Sequence, residues 1–181
     1  MKYPVVYLGQ PVLRSECDPV TSFGPELAQL VTDMFEVMYA AAGVGLAANQ
    51  IGVGLRVFVF DCGEDGGHGR ADQGEVGHVV NPTLVATGGD TVTDAEGCLS
   101  LPGLVFDTPR ANWAAVEGFD QDGRPVRYEG KGYVGRCLQH EVDHLDGIMF
   151  LDRMKEFSTL TYLREFQKFW LPVVAGPEKK E

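Results

Sequence analysis

Residues 139–147 of this chain are Gln139-His140-Glu141-Val142-Asp143-His144-Leu145-Asp146-Gly147. Side chains four residues apart lie on one face of an α-helix, so His140 and His144 can direct their rings at a single metal ion. Glu141 lies between them and is placed to accept and return protons at such an ion. The segment therefore predicts a helix with a two-histidine metal site that needs a further ligand from elsewhere in the chain.

Three helices are predicted from hydrophobic periodicity. The motif helix spans 132–145, with Gly147 as its stop. An earlier amphipathic helix spans 25–42, with Pro25 in its first turn and Gly43 at its end. A last helix spans about 158–170 and ends before Pro172. Its broad apolar face consists of Tyr162, Leu163, Phe166, Phe169 and Trp170.

Short apolar runs between these helices predict strands at 55–60, 78–85, 113–119 and 125–128, with a hairpin turn at 120–123. Residues 61–77 are rich in Gly, Asp and Glu and predict an exposed, mobile loop. We therefore expect an α+β fold. Antiparallel or mixed sheets would pack around the central metal-binding helix, with an N-terminal and a C-terminal helix.

Length and composition indicate one globular domain. The chain has 181 residues, of which 44% are hydrophobic, 10% aromatic and 23% charged. This length suits one substantial core and is short for two ordinary domains, so we expect a single domain over 1–174. Residues 175–181 are expected to form a disordered tail.

The formal net charge of −11 opposes broad nucleic-acid binding, because backbone phosphates would be repelled over most of the surface. The chain has no apolar run long enough to span a bilayer, and its N-terminus lacks the features of a secretory signal, so we expect a cytoplasmic protein without a membrane partner. The basic residues near the last helix are interpreted as a solvated face, with a local contact to RNA as the alternative. They are Arg153, Lys155, Arg164 and Lys168.

Spacing alone leaves three candidates for the third metal ligand. One is an acidic residue downstream of the motif. Another is Cys137, one turn before His140, although three ligands along one helix would strain the geometry, and a small buried cysteine is the simpler interpretation. The third is Cys98, which follows Gly97 in a segment where an irregular backbone could direct a thiolate at the helix.

Three segments, taken in order, resemble the signature motifs of the peptide deformylases. They are Gly43-Val44-Gly45-Leu46-Ala47-Ala48-Asn49-Gln50, Glu96-Gly97-Cys98-Leu99-Ser100 and Gln139-His140-Glu141-Val142-Asp143-His144-Leu145. The resemblance spans most of the chain. It implies an enzyme of protein biosynthesis and N-terminal processing, a metal-dependent hydrolase that removes the formyl group from the N-terminal formylmethionine of newly synthesised proteins and releases formate.

The resemblance also implies roles for individual residues. Cys98, His140 and His144 would bind one divalent metal, with Fe²⁺ expected and Ni²⁺, Co²⁺ or Zn²⁺ able to replace it. Glu141 would be the general acid and base. The remaining implied roles concern the substrate: Gln50 and the backbone N–H of Leu99 would bind the formyl oxygen, and Val44, Gly45 and Gly97 would pair with the peptide backbone.

Two residues depart from the family pattern. Asn49 stands where many members have proline, and Val105 stands where some bacterial members have arginine near the substrate. Both put peptide preference in question. For the pocket that takes the methionine side chain, Tyr133 and Cys137 are the candidates, because they lie two turns and one turn before His140 on the motif helix.

Two other functions are compatible with the metal motif. A zinc endopeptidase would use the same His-Glu-x-x-His pair, but this chain has no extended downstream ligand motif and is short for a cleft between two lobes. A non-catalytic descendant would bind metal or formylated peptides without turnover. The joint presence of Gln50, Cys98 and Glu141 favours the hydrolase.

Overall fold

The computed structural model describes residues 3–63, 69 and 75–170. Its helices are α1 (Pro25–Ala40), α2 (Gly132–Leu145) and α3 (Leu163–Phe169). Its strands are β1 (Gly45–Ala47), β2 (Val57–Asp61), β3 (Val76–Cys98), β4 (Leu101–Phe119), β5 (Pro125–Lys131) and β6 (Thr161–Tyr162). Short 3₁₀ turns occur at Pro11–Arg14, Ala48–Ile51, Phe150–Arg153 and Phe157–Thr159.

The strands form one antiparallel sheet in the order β1-β2-β3-β4-β5, with β6 added to β4. The α+β fold predicted from the sequence is therefore confirmed. β3 and β4 are far longer than the predicted 78–85 and 113–119. Their pairing shifts register at several bulges, which interrupt the alternation of apolar and polar residues that identifies a strand in sequence.

Strand β2 occupies the centre of the core because both of its faces are covered. Successive side chains of a strand point to opposite faces. Val57 and Val59 accordingly pack with the apolar stripe of α1, while Phe58 and Phe60 pack with the inner face of α2. A third apolar cluster surrounds Phe106 and Phe150. It lies beside His140 of α2, whose ring centroid is 6.0 Å from that of Phe150.

Two expectations about loops and helix ends need correction. The predicted loop 61–77 has strand residues at both ends: Asp61 ends β2, and β3 begins at Val76; residues 64–68 and 70–74 lie outside the described residues. Helix α1 ends at Ala40, and Ala42 rather than Gly43 has the left-handed backbone conformation there (φ 54°). The predicted tail 175–181 also lies outside the described residues.

The last helix is much shorter than predicted. Residues 158–162 form a 3₁₀ turn and the short strand β6, and only then does α3 begin at Leu163. Main-chain pairing of Thr161 and Tyr162 with β4 competes with helix formation in this stretch. Side chains of the predicted apolar face are exposed to solvent: Leu163 is 40% exposed, Phe169 64% and Trp170 71%. No helix among the described residues is long and apolar enough to cross a membrane.

Candidate active site

A cleft of about 870 Å³ lies between the Gly43–Gly45 segment, the end of β3, the start of β4, α2 and α3. Eight of the nine predicted site residues line it: Val44, Gly45, Gln50, Gly97, Cys98, Leu99, His140 and Glu141. The ninth, His144, adjoins the cleft through its ring, whose Nε2 lies 3.0 Å from Nε2 of His140. The fold therefore brings three separate motifs of the sequence to one place.

Cys98, His140 and His144 form a compact set of possible metal ligands. The Cys98 sulfur lies 3.2 Å from Nε2 of His144, and the ligand atoms of all three residues lie within 4.8 Å of one another. Two nitrogens bound to a tetrahedral ion would lie about 3.3 Å apart, and a nitrogen and a sulfur about 3.6 Å. Small side-chain movements reach that spacing, so the residues fit a divalent metal.

The other two candidates for the third ligand have different surroundings. Cys137 is hydrogen-bonded to Cys62, and this bond, with burial, raises the pKa of Cys137 well above its usual range. It therefore stays a neutral thiol. Asp143, the nearest acidic residue after Glu141, is bound to the guanidinium groups of Arg110 and Arg153. Among the described residues, one cluster of three or more His, Cys, Asp or Glu side chains could hold a metal ion. It consists of Cys98, His140 and His144.

A buried carboxylate holds the ring of His140. Oε1 of Glu96 lies 2.6 Å from Nδ1 of His140, which turns Nε2 toward Cys98 and His144. The same carboxylate is bound by Arg110 through two hydrogen bonds of 2.6 and 2.8 Å and by Arg136 at 2.9 Å. Burial alone would raise the pKa of Glu96, but these hydrogen bonds and the neighbouring charges hold it well below its usual range.

Sequence reasoning assigned no role to Glu96. The spacing of Glu96 and Cys98 indicates that their side chains are near each other. Residues two apart in a strand point to the same face, and Glu96 is two residues before Cys98 in β3. The arginines were not predictable in this way. Arg110 reaches Glu96 because β4 returns antiparallel to β3, and Arg136 reaches it from the second turn of α2.

His144 is held in place through its backbone carbonyl group. Nδ2 of the fully buried Asn49 donates a 2.5 Å hydrogen bond to the carbonyl oxygen of His144. Burial lowers the pKa of His144 well below its usual range, which favours the neutral ring that a metal ligand needs. Three buried side-chain atoms of the described residues have no hydrogen-bond partner: Oδ1 of Asn49, Nδ1 of His144 and Oε2 of Glu141.

We expect Asn49→Leu to weaken this support. Without the amide, the His144 carbonyl loses a buried donor, which should lower the free energy of unfolding by about 1–3 kcal/mol. Affinity for Ni²⁺ should fall by about tenfold, because a ligand whose support is removed is less well oriented. Urea unfolding and competition with a chelator measure the two effects. Gln29→Leu, which removes a hydrogen bond to Asp33 on α1, is the control, and equal Ni²⁺ affinity in both variants would contradict the role of Asn49.

Glu141 is buried against the Gly43–Gly45 segment. A Cβ atom at Gly45 would lie only 2.2 Å from Oε1 of Glu141, so a larger residue here would displace the Glu141 carboxyl group. Burial raises the pKa of Glu141 to about 7, against a smaller opposing effect of His140. A carboxyl group with such a pKa can accept a proton and release it again near neutral pH.

Gln50 presents its amide nitrogen to the same place. Its Oε1 accepts a hydrogen bond from the backbone N–H of Ala47, which leaves Nε2 facing the Cys98 sulfur at 3.4 Å and Oγ of Ser100 at 3.3 Å. The cleft thus has a hydrogen-bond donor beside its sulfur and imidazole groups. A Cβ atom at Gly97 would meet only ordinary contacts, so the folded chain alone does not require glycine there.

Comparison with known proteins identifies close relatives. The family model for polypeptide deformylase matches residues 2–159. Peptide deformylase 2 of Streptomyces avermitilis is 55% identical over 162 residues, covering 90% of this chain and 84% of that protein. The peptide deformylase of Mycolicibacterium paratuberculosis is 50% identical over 161 residues, covering 83% of this chain and 80% of that protein.

Solved structures agree with these relatives. A peptide deformylase from Synechococcus elongatus in complex with actinonin superposes with a TM-score of 0.78 at 35% identity, covering 92% of this chain and 85% of that one. The peptide deformylase from Thermus thermophilus superposes with a TM-score of 0.75 at 43% identity, covering 84% of this chain and 86% of that one. The similarity spans most of the chain in both cases.

Proposed function

This chain belongs to the peptide deformylase family, and from that premise we propose how its cleft removes the formyl group from the N-terminal formylmethionine of newly made proteins. The observation that carries the proposal is the meeting of Cys98, His140 and His144 within 4.8 Å, beside the carboxyl group of Glu141 in one cleft. A zinc endopeptidase would share the two histidines and Glu141. No specific observation favours it.

Cys98, His140 and His144 would hold one divalent metal ion, and we propose Fe²⁺ as that ion, with Ni²⁺, Co²⁺ or Zn²⁺ able to replace it. The thiolate is a soft, electron-rich ligand, which suits iron as well as zinc. When bound, the ion lowers the pKa of a water molecule from 15.7 to about 7 and polarises the substrate carbonyl. Glu96 keeps the ring of His140 oriented for this task.

Gln50 and the backbone N–H of Leu99 bind the formyl oxygen in this proposal. Negative charge develops on that oxygen when water adds to the formyl carbon, and a donor fixed in advance stabilises the charge without having to reorient. The contact with Ala47 supports this role for Gln50, because it holds the amide with Nε2 toward the cleft.

Glu141 handles the protons of the reaction. Its carboxylate accepts a proton from the attacking water, and the resulting acid gives that proton to the nitrogen of methionine as the C–N bond breaks. The products are formate and a free N-terminus. Both proton transfers are favoured because burial raises the pKa of Glu141 to about 7, close to neutral pH.

Val44, Gly45 and Gly97 pair with the peptide backbone in this proposal. β1 is an edge strand of the sheet, and Val44 and Gly45, where this strand begins, line the cleft, which supports pairing of an added strand there. Tyr133 and Cys137 line the cleft on α2 and would form part of the wall of the methionine pocket. A cramped space near the ligands would admit a formyl group and exclude larger acyl groups.

Residues 1–174 act as one catalytic domain in this proposal. The two core clusters support it, because both include residues of β2.

The place of action would be the cytoplasm, where nascent chains are made. Contact with the ribosome near the exit tunnel would involve Lys155, Arg164 and Lys168. Arg153 is bound to Asp143 and Arg164 to Glu165. The net charge of −11 disfavours broad nucleic-acid binding.

Metal removal tests the proposal. Protein purified without oxygen should contain about one metal ion per chain and release formate from formyl-Met-Ala-Ser. A chelator should abolish this release, and Fe²⁺, Ni²⁺ or Co²⁺ should restore it. Cys98→Ala should lower both metal content and formate release, whereas Cys17→Ala, at a buried cysteine outside the cleft lining, should change neither. No formate with any of the three ions, or cleavage of internal peptide bonds instead, would contradict the proposal.

A further inference from the structure

We propose that Cys62 and Cys137 form a second metal site, which takes a soft divalent cation such as Hg²⁺ between two sulfur atoms and thereby blocks the methionine pocket. This site shares no ligand with the one formed by Cys98, His140 and His144. The binding of the cation is independent of the proposed function, and only its effect on turnover rests on that function.

Two elements that are distant in the sequence bring the two sulfurs together at the carbonyl group of Val44. The backbone N–H of Asp61 donates a 2.8 Å hydrogen bond to this oxygen, and Cys62 is the next residue of the chain. Sγ of Cys137, on α2, donates to the same oxygen at 3.8 Å. The two thiols are in hydrogen-bond contact and belong to one apolar cluster. The fold therefore holds them side by side.

The spacing of the pair suits an ion with two ligands in line. Bonds of about 2.3 Å on opposite sides of an ion place two sulfurs about 4.6 Å apart. Thiols in hydrogen-bond contact lie near this spacing, so rotations of the two side chains suffice. The described residues supply no third His, Cys or acidic ligand within 4.8 Å of both sulfurs. Hg²⁺ accepts two sulfur ligands in line, whereas Fe²⁺ and Zn²⁺ need more ligands.

The surroundings of the pair favour a bound group without net charge. Phe60 and Val134 belong to the same buried cluster as the two cysteines. The hydrogen bond to Cys62, together with burial, raises the pKa of Cys137 well above its usual range, so the empty site keeps its protons. One Hg²⁺ would replace both thiol protons, which leave to water, and the resulting bis-thiolate is neutral. A hard cation such as Mg²⁺ bonds too weakly to sulfur to displace these protons.

The cation would reach the pair through the cleft. Cys137 lines the cleft, whereas Cys62 has no exposed surface, so an entering ion meets Cys137 first. The net charge of −11 attracts cations to the protein. Cys137 and Tyr133 are the proposed wall of the methionine pocket. A metal atom held at this wall occupies space that the methionine side chain needs, so binding of the ion should inhibit turnover.

Hg²⁺ binding is measured on protein loaded with Ni²⁺, in excess glutathione. Glutathione competes for Hg²⁺ at single cysteines, whereas two sulfurs of one chain hold the ion jointly. The natural chain should bind about one Hg²⁺, seen as sulfur-to-mercury charge-transfer absorption, and should keep its Ni²⁺. Cys62→Ser should weaken Hg²⁺ binding by about 100-fold, because losing a ligand costs at least as much as losing the support of one.

Cys17→Ser is the matched control, because Cys17 is a buried cysteine whose backbone is bound to Leu145 at the C-terminal end of α2. It should bind Hg²⁺ like the natural chain. Cys62→Ala buries no hydroxyl group and replaces Cys62→Ser if the serine variant does not fold. The site is refuted if the natural chain binds no Hg²⁺ in glutathione, if it loses Ni²⁺ as Hg²⁺ binds, or if the Cys62 variant binds Hg²⁺ equally well.

Formate release from a formyl-Met peptide measures the effect on the pocket. In the same buffer, Hg²⁺ should stop formate release by the natural chain and leave that of Cys62→Ser unchanged. Bound Hg²⁺ without inhibition would overturn the effect assigned to the methionine pocket. Absence of formate before any Hg²⁺ is added would contradict the proposed function instead, and the binding measurement would still decide whether the thiol pair is a metal site.

Discussion

Replacing Glu141 with glutamine should lower kcat/KM for a formyl-Met peptide by about 10²–10⁴-fold. Glutamine has nearly the same size, so it can occupy the space against Gly45 that the structure leaves for Glu141. It cannot accept the proton of the attacking water or return one to the leaving nitrogen. The loss should appear in kcat, because the proton transfers belong to the chemical step.

Metal content and stability separate this effect from unfolding. Glu141→Gln should bind Ni²⁺ in the same amount as the natural chain and should unfold at a similar or higher urea concentration, since its buried carboxyl group is removed. Glu36→Gln, at an exposed position of α1, should keep full activity. A Glu141→Gln protein with unchanged turnover would refute the assignment of Glu141 as the acid and base.

Replacing Glu96 with glutamine should lower the free energy of unfolding by about 3–5 kcal/mol. The carboxylate of Glu96 is bound by Arg110 and Arg136, and both guanidinium groups are buried. A neutral amide leaves two buried positive charges without this shared counter-ion. Urea unfolding of the metal-free protein measures the loss. Glu117→Gln removes the partner of an exposed Arg127 ion pair and should be nearly neutral.

The stabilising effect of Glu96 should depend on pH in a defined direction. Its pKa is held well below the usual 4.5 in the folded chain. A carboxyl group of this kind stabilises the fold at every pH above its unfolded pKa, and the contribution is lost as the pH falls toward the folded pKa. The difference between the natural chain and Glu96→Gln should therefore shrink steadily below about pH 4.5. A difference that grew as the pH fell below about 4.5 would contradict this account.

Much of the fold could be predicted from local sequence patterns. The bounds predicted for the motif helix, 132–145, agree with α2, because helical periodicity and its terminating signals lie within one short segment. The long strands β3 and β4 were only partly predicted, since their bulges and exposed residues obscure the alternation. The last helix was predicted too long, because pairing of Thr161 and Tyr162 with β4 outweighs a helical pattern that only sequence neighbours support.

The sequence by itself determined the two-histidine helix, the position of Glu141 between the rings, and the three motifs that mark the family. Spacing alone left the sulfur ligand open, and the family resemblance implied Cys98, whose sulfur the fold brings beside the imidazoles. Tertiary structure alone decided that Glu96 and two arginines secure His140 and that α3 borders the cleft. The physical reason is the range of the interactions. Helical spacing depends on bonds within a few residues, whereas the register of β3 on β4 joins groups that are distant in the chain.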